Sequence, residues 1–291
     1  MTELSIVSVV HDTREAALRM LTSLGSDPDH TEWDVVVVDN ESSDGLGASV
    51  RGRYPAARVI RNEPQPGFAA GLNGAIRSSA TPLVAHVSPN TVVPPGTMRR
   101  LVAVMRSDPR IAAAGPLILG PDGRPQRHGM YRPRPFTALV VLAGLSAVPP
   151  FDREAERYYG IHRPGPPTDV EHLTAACLVI RRAAFDAIGP FDERFFVYAE
   201  DADWCLRASA AGWRIVFVPD VSVVHEKAAT SRLRSGRVIR AYYRSMRAFY
   251  RKHYGAGSSM PARAVWLGGS YVKEAAALVA NALRRTKGVR Y

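Results

Sequence analysis

This chain of 291 residues has only two cysteines, no long apolar run and a single acid in its last 65 residues. Its two cysteines, Cys177 and Cys205, lie in apolar segments, which excludes a disulfide framework and a CxxC metal site and predicts a reducing compartment. No run reaches the ~18 apolar residues that a membrane span needs. Because no basic segment precedes the first apolar stretch, we interpret residues 5–10 as a core strand and not as a secretory signal.

A dinucleotide-binding glycine motif is also missing. The first predicted strand is followed by His11-Asp12-Thr13 instead of GxGxxG, which argues against a nicotinamide or flavin dinucleotide site. No nucleic-acid-binding motif accompanies the net charge of +11, so we expect no nucleic-acid partner. With 46% hydrophobic residues, the chain can bury one large core and carry an appendage.

Charge is divided unevenly along the chain. Residues 227–291 hold 15 of the 38 Lys and Arg residues and one of the 27 acidic residues, so their formal charge is +14 and that of residues 1–226 is −3. Within the basic part, residues 237–254 place aromatic and apolar side chains on one helical face and arginines on the other. The aromatic face can pack on the main domain or enter a membrane, and either arrangement leaves the arginines able to meet lipid phosphates.

Three acids, Glu200, Asp201 and Asp203, stand close together among apolar residues. Carboxylates placed in this way need a positive partner, or a proton in transit, to offset their repulsion and desolvation. The cluster predicts a catalytic site. The alternative is a helix N-terminus, where acids favour the positive end of the helix dipole.

Polar residues and glycines follow several predicted strands. Apolar runs predict strands at 5–10, 35–38, 58–60, 83–87 and 112–119, with helices at 14–24, 68–78 and 96–105 between them. Asp39 ends the second strand, and ligands of parallel α/β sheets bind at such carboxyl ends. Asp44 follows in a turn, while Gly67 and Gly71 permit close backbone approach where a loop becomes a helix.

In order and spacing, these segments and His225 resemble the family 2 glycosyltransferases of the GT-A fold across roughly residues 4–230. The resemblance implies an α/β fold in which a Rossmann-like nucleotide-binding half is fused to an acceptor-binding half through a mainly parallel mixed sheet. Residues 1–226 would form the catalytic domain, and residues 227–291 a basic amphipathic helical extension. The segments 115–117, 177–185, 191–195 and 225–228 further resemble actinobacterial rhamnosyltransferases that act on polyprenyl-diphosphate sugars.

The resemblance implies a nucleoside-diphosphate sugar as donor, linked to dTDP or UDP. Its base and ribose would contact His11, Asp12 and Asp39, since a carboxylate accepts hydrogen bonds from imide and hydroxyl groups. Other residues implied near the donor are Asp44, Gly67, Asn73 and Ser88. Turn capping is the alternative role for Asp39 and Asp44.

The same resemblance places the general base of an inverting transfer in the acid cluster. We assign Asp201 as the base, with Glu200 orienting it or holding an acceptor hydroxyl, and Asp203 capping the following helix. Trp204, which could stack on a sugar, is more simply a core residue.

One departure from the family concerns the metal. Family members usually carry acids at the end of the fourth strand, where this chain has the neutral Ser88 and Asn90. An amide oxygen can coordinate Mg²⁺ or Mn²⁺ without offsetting its charge, which predicts a weakened metal site formed by Asn90 and His225. Without a metal, His225 could bind a phosphate.

Three functions compete at this point. The first is sugar transfer to a glycan or polyprenyl-diphosphate acceptor for the cell envelope, by a cytoplasmic enzyme held peripherally at the anionic inner face of the cell membrane. The second is transfer to a soluble natural product, and the third is non-catalytic binding of nucleotide sugars, which only Asn90 supports. The sequence also leaves open whether the enzyme forms a homodimer. Residues 120–168, rich in Pro, Arg and Gly, predict a mobile substrate loop.

Overall fold

The structure is a computed structural model that describes residues 2–126, 130–132, 136–137, 140, 144–160, 162–226 and 236–286. The strands within this part of the chain are β1 (Leu4–Val10), β2 (Asp34–Asn40), β3 (Arg58–Asn62), β4 (Leu83–Val87), β5 (Thr91–Val92), β6 (Ile111–Leu119), β7 (Thr168–Val170), β8 (Cys177–Arg181) and β9 (Arg214–His225). The helices are α1 (Arg14–Gly25), α2 (Leu46–Arg53), α3 (Phe68–Ser78), α4 (Thr97–Ser107), α5 (Phe151–Tyr159), α6 (Arg182–Ile188), α7 (Glu200–Ala210), α8 (Gly236–His253) and α9 (Met260–Thr286).

The strands form one mixed sheet in the order β3-β2-β1-β4-β8-β6-β9-β5, with β7 paired to β9. The first four strands are parallel, because each is connected to the next through a helix that crosses over the sheet. β8 runs antiparallel between β4 and β6, and β9 is parallel to β6. The carboxyl ends of β1 to β4 therefore lie at one edge, where a ligand is expected.

Helices cover both faces of this sheet. All seven residues of β1 are buried, as in parallel strands with helices on either side. One core cluster includes Leu21 of α1 and Met105 of α4, and the other includes Ile76 of α3 and Trp204 of α7. Cys177 and Cys205 are free and buried. The predicted α/β fold with a Rossmann-like first half is confirmed.

The predicted amphipathic helix in the basic segment is α8. Its aromatic face packs on the main body, where the rings of Tyr242 and Tyr198 meet edge to face at 5.4 Å and Ser245 donates a hydrogen bond to the carbonyl of Val197. α9 then packs against α8, with the Tyr250 and Trp266 rings stacked at 4.2 Å. Within the described residues, we find no helix long and apolar enough to cross a membrane.

Residues 120–168 are described in part. They contribute α5 and the buried Val140, while Phe136 and Val148 are about half exposed. The predicted mobile loop therefore lies partly outside the described residues.

Candidate active site

Two strand-end loops bind each other and bring three of the predicted site residues together. His11 Nδ1 lies 2.8 Å from the carbonyl oxygen of Asn40. The carboxylate of Asp12 accepts a hydrogen bond from the backbone amide of Ser43 at 2.7 Å, and the carboxylate of Asp44 accepts one from the backbone amide of Arg14 at 2.8 Å. The carboxylate of Asp44 thus caps the first turn of α1, and within its own turn its Oδ1 accepts a hydrogen bond from the amide of Leu46 at 3.2 Å, which is the turn-capping role that the sequence left open.

Asp39 is buried at the end of β2 and has two partners. Its Oδ1 accepts the amide of Ser42 at 2.8 Å, and its Oδ2 accepts a guanidinium hydrogen of Arg61 at 3.0 Å. A cavity of about 210 Å³ adjoins the pair and is also lined by Leu46 and Arg51 of α2. The carboxylate and two arginines therefore offer both acceptors and donors at this wall.

Asn40 joins the ends of three strands and was not predicted as a site residue. Its Nδ2 donates to the carbonyl of Gly67 at 3.0 Å, and its Oδ1 accepts from Asn62 Nδ2 at 2.8 Å. A Cβ at Gly71 would lie 3.0 Å from the Asn40 side chain, so glycine is needed there for α3 to approach the sheet. The glycines thus serve packing between protein segments.

Asn73 lies inside the protein and not on a pocket wall. Its side chain is fully buried, donates to Phe191 O and Glu193 Oε1 at 2.9 Å each, and accepts the amide of Phe191. Because all these bonds stay within the protein, Asn73 clamps α3 to residues 191–193, and the expected donor contact from this residue is replaced by an indirect, structural role.

The loop before α3 meets the segment that carries the acid cluster. The amide of Phe68 donates to the carbonyl of Phe196 at 3.0 Å, and a Cβ at Gly67, which has φ of 97°, would lie 3.0 Å from that same carbonyl oxygen. Tyr198 and Ala199 follow with φ values of 68° and 73°. Left-handed backbone costs roughly 1–2 kcal/mol for each such residue. The left-handed backbone at Tyr198 and Ala199 turns the chain so that α7 begins directly at the two carboxylates.

Asp201 is held by backbone amides beside a histidine. Its Oδ2 accepts the amide of Ala175 at 3.0 Å, its Oδ1 accepts the amide of Ala202 at 2.8 Å, and His172 Nε2 lies 3.7 Å from Oδ1. Burial raises the pKa of the Asp201 carboxyl. His172 and the two amides together lower it by more than burial raises it, so the pKa lies below its usual value. Asp201 is therefore ionised at neutral pH.

Glu200 has the opposite environment. It is buried, and its Oε2 has no hydrogen-bond partner among the described residues. Burial, and next the charge of Asp201, raise the pKa of the Glu200 carboxyl well above its usual value. Adjacent carboxyls whose pKa values are driven apart supply one proton acceptor and one proton donor.

Two histidines near the acid pair were not predicted. His86 is fully buried on β4, and its Nδ1 lies 2.5 Å from the carbonyl oxygen of Ala175. Burial lowers the pKa of His86 to about 4, so its ring is neutral. In the part of the chain that the structure describes, Nε2 of His86 and Nε2 of His172 have no hydrogen-bond partner. Unpartnered buried polar atoms beside two carboxyls are typical of a site that a ligand completes.

Asp203 is fully buried and serves as an anchor. It accepts from Arg207 Nε at 2.9 Å within α7, and from Lys252 Nζ at 2.6 Å and His253 Nε2 at 2.8 Å at the end of α8. Arg207 also donates to the carbonyl of Pro190 at 2.7 Å. The expected capping of α7 by Asp203 is thus replaced by a link between α7 and α8.

The two predicted metal ligands lie side by side. β5 pairs with β9 so that Thr91 faces His225, and Asn90 Nδ2 donates to the carbonyl of Glu226 at 2.9 Å. Nδ1 of His225 lies 3.2 Å from Gln126 Oε1. The amide of Ser88 donates to Ala176 O at 2.9 Å, which ties the end of β4 to β8.

Residues 5–246 match the family described as Glycosyltransferase like family 2. The chain belongs to this family. It is therefore a glycosyltransferase, and the alternative of a non-catalytic binding protein is set aside.

Similar proteins agree with this assignment. The chain is 29% identical over 305 aligned residues, covering 98% of the chain and 95% of the relative, to an N-acetylglucosaminyl-diphospho-decaprenol L-rhamnosyltransferase of Mycobacterium tuberculosis. GalNAc-T7 with UDP, GalNAc and Mn²⁺ is 16% identical with a TM-score of 0.62, over 86% of this chain and 50% of that one. The mannosyltransferase PcManGT of Pyrobaculum calidifontis, in complex with GDP-Man and Mn²⁺, is 17% identical with a TM-score of 0.59, over 99% and 76%. These similarities confirm the GT-A fold of the enzyme.

The side chains of Asn90 and His225, the two predicted metal ligands, fit a divalent ion poorly. Among the residues that the structure describes, no three His, Cys, Asp or Glu side chains come close enough to hold a metal. The nearest acid in sequence, Glu226, is paired with Arg19 at 2.8 Å. Within the described residues, Asn90 and His225 therefore lack a third ligand whose negative charge would offset that of the ion.

Proposed function

We propose that the enzyme is an inverting transferase that moves a sugar from a dTDP- or UDP-linked donor to a hydroxyl of a lipid-linked or other glycan acceptor in cell-envelope polysaccharide synthesis. Similarity to the mycobacterial rhamnosyltransferase along nearly the whole of both chains carries this proposal and favours L-rhamnose as the sugar. By the same similarity, the acceptor is a sugar on a polyprenyl diphosphate, and the enzyme works at the inner face of the cell membrane.

The donor binds at the carboxyl ends of β1 to β3. His11, Asp12, Asp39 and Arg61 meet there, and they offer hydrogen-bonding groups to a nucleobase and a ribose. Asn40 and Gly67 fix the position of the loop that connects this wall to the acid pair. The sugar then extends toward α7.

The acceptor hydroxyl attacks the anomeric carbon on the face opposite the leaving nucleoside diphosphate. As the new carbon–oxygen bond forms, the bond to the diphosphate breaks and its electron pair leaves with the diphosphate. The hydroxyl proton passes to Asp201, whose carboxylate is ionised in advance by its amide partners and His172. Burial, and next the charge of Asp201, raise the pKa of the Glu200 carboxyl, and in its protonated form it can donate a hydrogen bond to a substrate oxygen.

Replacing the base tests this assignment. Asp201→Asn keeps the shape of the side chain but cannot take the proton, so turnover should fall by about 10² to 10⁴-fold. Donor affinity, measured by calorimetry, should stay nearly unchanged. The matched control is Asp186→Asn, which alters an exposed aspartate on α6 and should leave turnover unchanged.

Transfer should be measured with dTDP- and UDP-sugars, and with both a polyprenyl-diphosphate-linked acceptor and a water-soluble glycan. Near-normal turnover of Asp201→Asn would remove Asp201 from the role of base. Transfer to soluble natural products alone would replace the lipid-linked acceptor with the second function that the sequence leaves open.

A further inference from the structure

The outer half of α9 carries an unusual surface. Between Met260 and Leu283, every exposed residue is Met, Pro, Ala, Val, Gly, Tyr or Leu. Val265, Val272 and Val279 recur every seven residues, and their exposed fractions are 58%, 69% and 59%. A surface helix normally turns its charges outward and its apolar side chains inward. In α9 the outward side is apolar as well.

Two charged residues of α9, Glu274 and Arg263, are held by contacts within the protein instead. Glu274 pairs with Arg247 of α8 at 2.7 Å, and Arg263 donates to the carbonyl of Ser258 at 3.1 Å. The guanidinium of Arg247 also lies over the Tyr271 ring at 4.0 Å. α9 is thus fixed to α8 by the Glu274–Arg247 pair together with the Trp266–Tyr250 stack, which orients its exposed apolar side chains away from the body of the enzyme.

Exposed arginines stand next to this apolar half. Arg240, Arg244 and Arg251 of α8 are exposed, and no carboxylate of the described residues pairs with them. A Cβ at Gly236 would lie 3.6 Å from Arg240 Nη1 and 3.5 Å from Leu278 Cδ2, which places Arg240 at the junction of α8 and α9. In sequence, residues 284–291 add four basic residues and no acid.

We infer that the outer half of α9 inserts into the interfacial region of an anionic lipid bilayer, parallel to its surface, with the arginines of α8 on the headgroups. An apolar helical face beside basic residues matches the two components of such a surface, hydrocarbon and phosphate. A second copy of this chain is the less suitable occupant, because it would bring two segments of formal charge +14 together. This inference rests on the proposed lipid-linked acceptor, and it assigns the lipid contact to α9, with α8 as its support.

A fluorescent probe at the centre of the face tests insertion directly. The two native cysteines are buried, so Val272→Cys can be labelled selectively with an environment-sensitive dye on the full-length chain. Vesicles of phosphatidylcholine with phosphatidylglycerol should shift its emission to the blue. The same dye on Ala56→Cys, an exposed loop position on the main body, should not respond.

Charge placed on the face should abolish the contact. The double variant Val265→Asp/Val279→Asp should reduce the partition into anionic vesicles by about tenfold or more, because both carboxylates would have to leave water. The control Ala56→Asp/Ala80→Asp makes the same change of net charge at two exposed positions elsewhere and should bind nearly as well as the native chain.

Two results would overturn the inference. One is an unshifted dye signal on anionic vesicles. The other is a native dimer in analytical ultracentrifugation that the Val265→Asp/Val279→Asp variant converts to monomers, which would identify a second copy as the occupant. Transfer to a water-soluble acceptor, measured without vesicles, separates the two proposals: if it persists while the dye does not respond, only the lipid contact fails, whereas no transfer to any acceptor would contradict the proposed function.

Discussion

Glu200 and Asp201 are neighbours in the chain and both are buried, yet their carboxyls have pKa values shifted in opposite directions. The difference arises from partners: two amides and a histidine surround Asp201, while Glu200 Oε2 has none among the described residues. Because the folded state holds the Glu200 proton more tightly than the unfolded state does, the stability of the enzyme falls as the pH rises above the unfolded pKa of Glu200.

The pH dependence of unfolding should report this cost. Because the folded state holds the Glu200 proton more tightly than the unfolded state, its contribution is fully present below the unfolded pKa of about 4.3 and is lost as the pH rises toward the folded pKa. Glu200→Gln removes this loss. Urea unfolding between about pH 5 and pH 8 should show native stability falling relative to the variant, by at most about 1.4 kcal/mol per pH unit.

The comparison with the variant is needed because His86 contributes in the other direction. Its pKa is lowered, so its contribution rises as the pH passes upward through the window from about 4 to about 6.5. That contribution is common to both proteins and cancels in the difference. Parallel stability curves for the two proteins would contradict a protonated Glu200.

The role of Asp39 in nucleotide binding can be tested against a similar ion pair at the other end of the same two strands. Asp39 and Arg61 pair at the carboxyl ends of β2 and β3, while Asp34 and Arg58 pair at 2.7 Å at the opposite ends. Asp39→Ala should weaken nucleotide binding by about 1–3 kcal/mol, because a hydrogen-bonding group of the pocket is lost. Asp34→Ala should leave the affinity unchanged. Equal affinities of both variants in calorimetry would mean that the nucleotide lies elsewhere.

The sequence predicted the acid pair because both residues stand in one motif, but it could not predict their partners. His172 precedes Asp201 by 29 positions and lies in no recognisable pattern. It reaches the carboxylate only because β8 and α7 place the two segments together. Asn40 directly follows the predicted strand end at Asp39, but its role in joining three strands depends on packing that periodicity does not reveal.

At the scale of elements, strong periodicity gave accurate boundaries. Residues 83–87 and 68–78 were predicted as they are found in β4 and α3. α2 was missed because it buries only Leu46 and Val50 and contains Gly47 and Gly52, so neither periodicity nor helix propensity marks it.

The pairing of β5 with β9 leads to a prediction about metal. Asn90→Asp replaces the amide that donates to the Glu226 carbonyl with a carboxylate that would face it, so the variant should be less stable in chelator by about 1–3 kcal/mol. Mn²⁺ should restore that stability, because the new carboxylate offsets the charge of the ion. Thermal unfolding with and without Mn²⁺ measures both effects.

The native enzyme should show a smaller Mn²⁺-dependent shift than Asn90→Asp. A large native shift that His225→Ala abolishes, and that a change at position 90 does not affect, would place the metal in a different donor set.

At the scale of the whole molecule, basic side chains at the end of α8 bind carboxylates of the catalytic body. Lys252 Nζ and His253 Nε2 both bind Asp203, and Lys252 also binds Asp192 at 2.7 Å. The division at residues 226 and 227 is thus a division of charge along the chain, and it remains a prediction as a boundary between domains. Sequence patterns indicated an amphipathic α8 but not which acids it would meet.

Removing these partners should destabilise the enzyme. Lys252→Ala/His253→Ala leaves Asp203 with Arg207 alone, and we expect a loss of about 1–3 kcal/mol, less than for a fully buried pair because the Lys252 side chain is 27% exposed. Turnover should fall as well, since Asp203 lies two residues from the base. The control is Arg251→Ala at the preceding, exposed position. Urea unfolding that gives the same stability for both variants would show that the link contributes nothing.

The link from Asp203 to α8 also orders events during synthesis. Ribosomes deliver the sheet first, because its last strand ends at His225, while the two α8 partners of Asp203 are made about 50 residues after it. At roughly 5–20 residues per second, the nascent chain spends several seconds with a catalytic helix in which the buried Asp203 lacks two of its three side-chain partners. We therefore expect the catalytic helix to become fully stable only after α8 has been made and has packed against it.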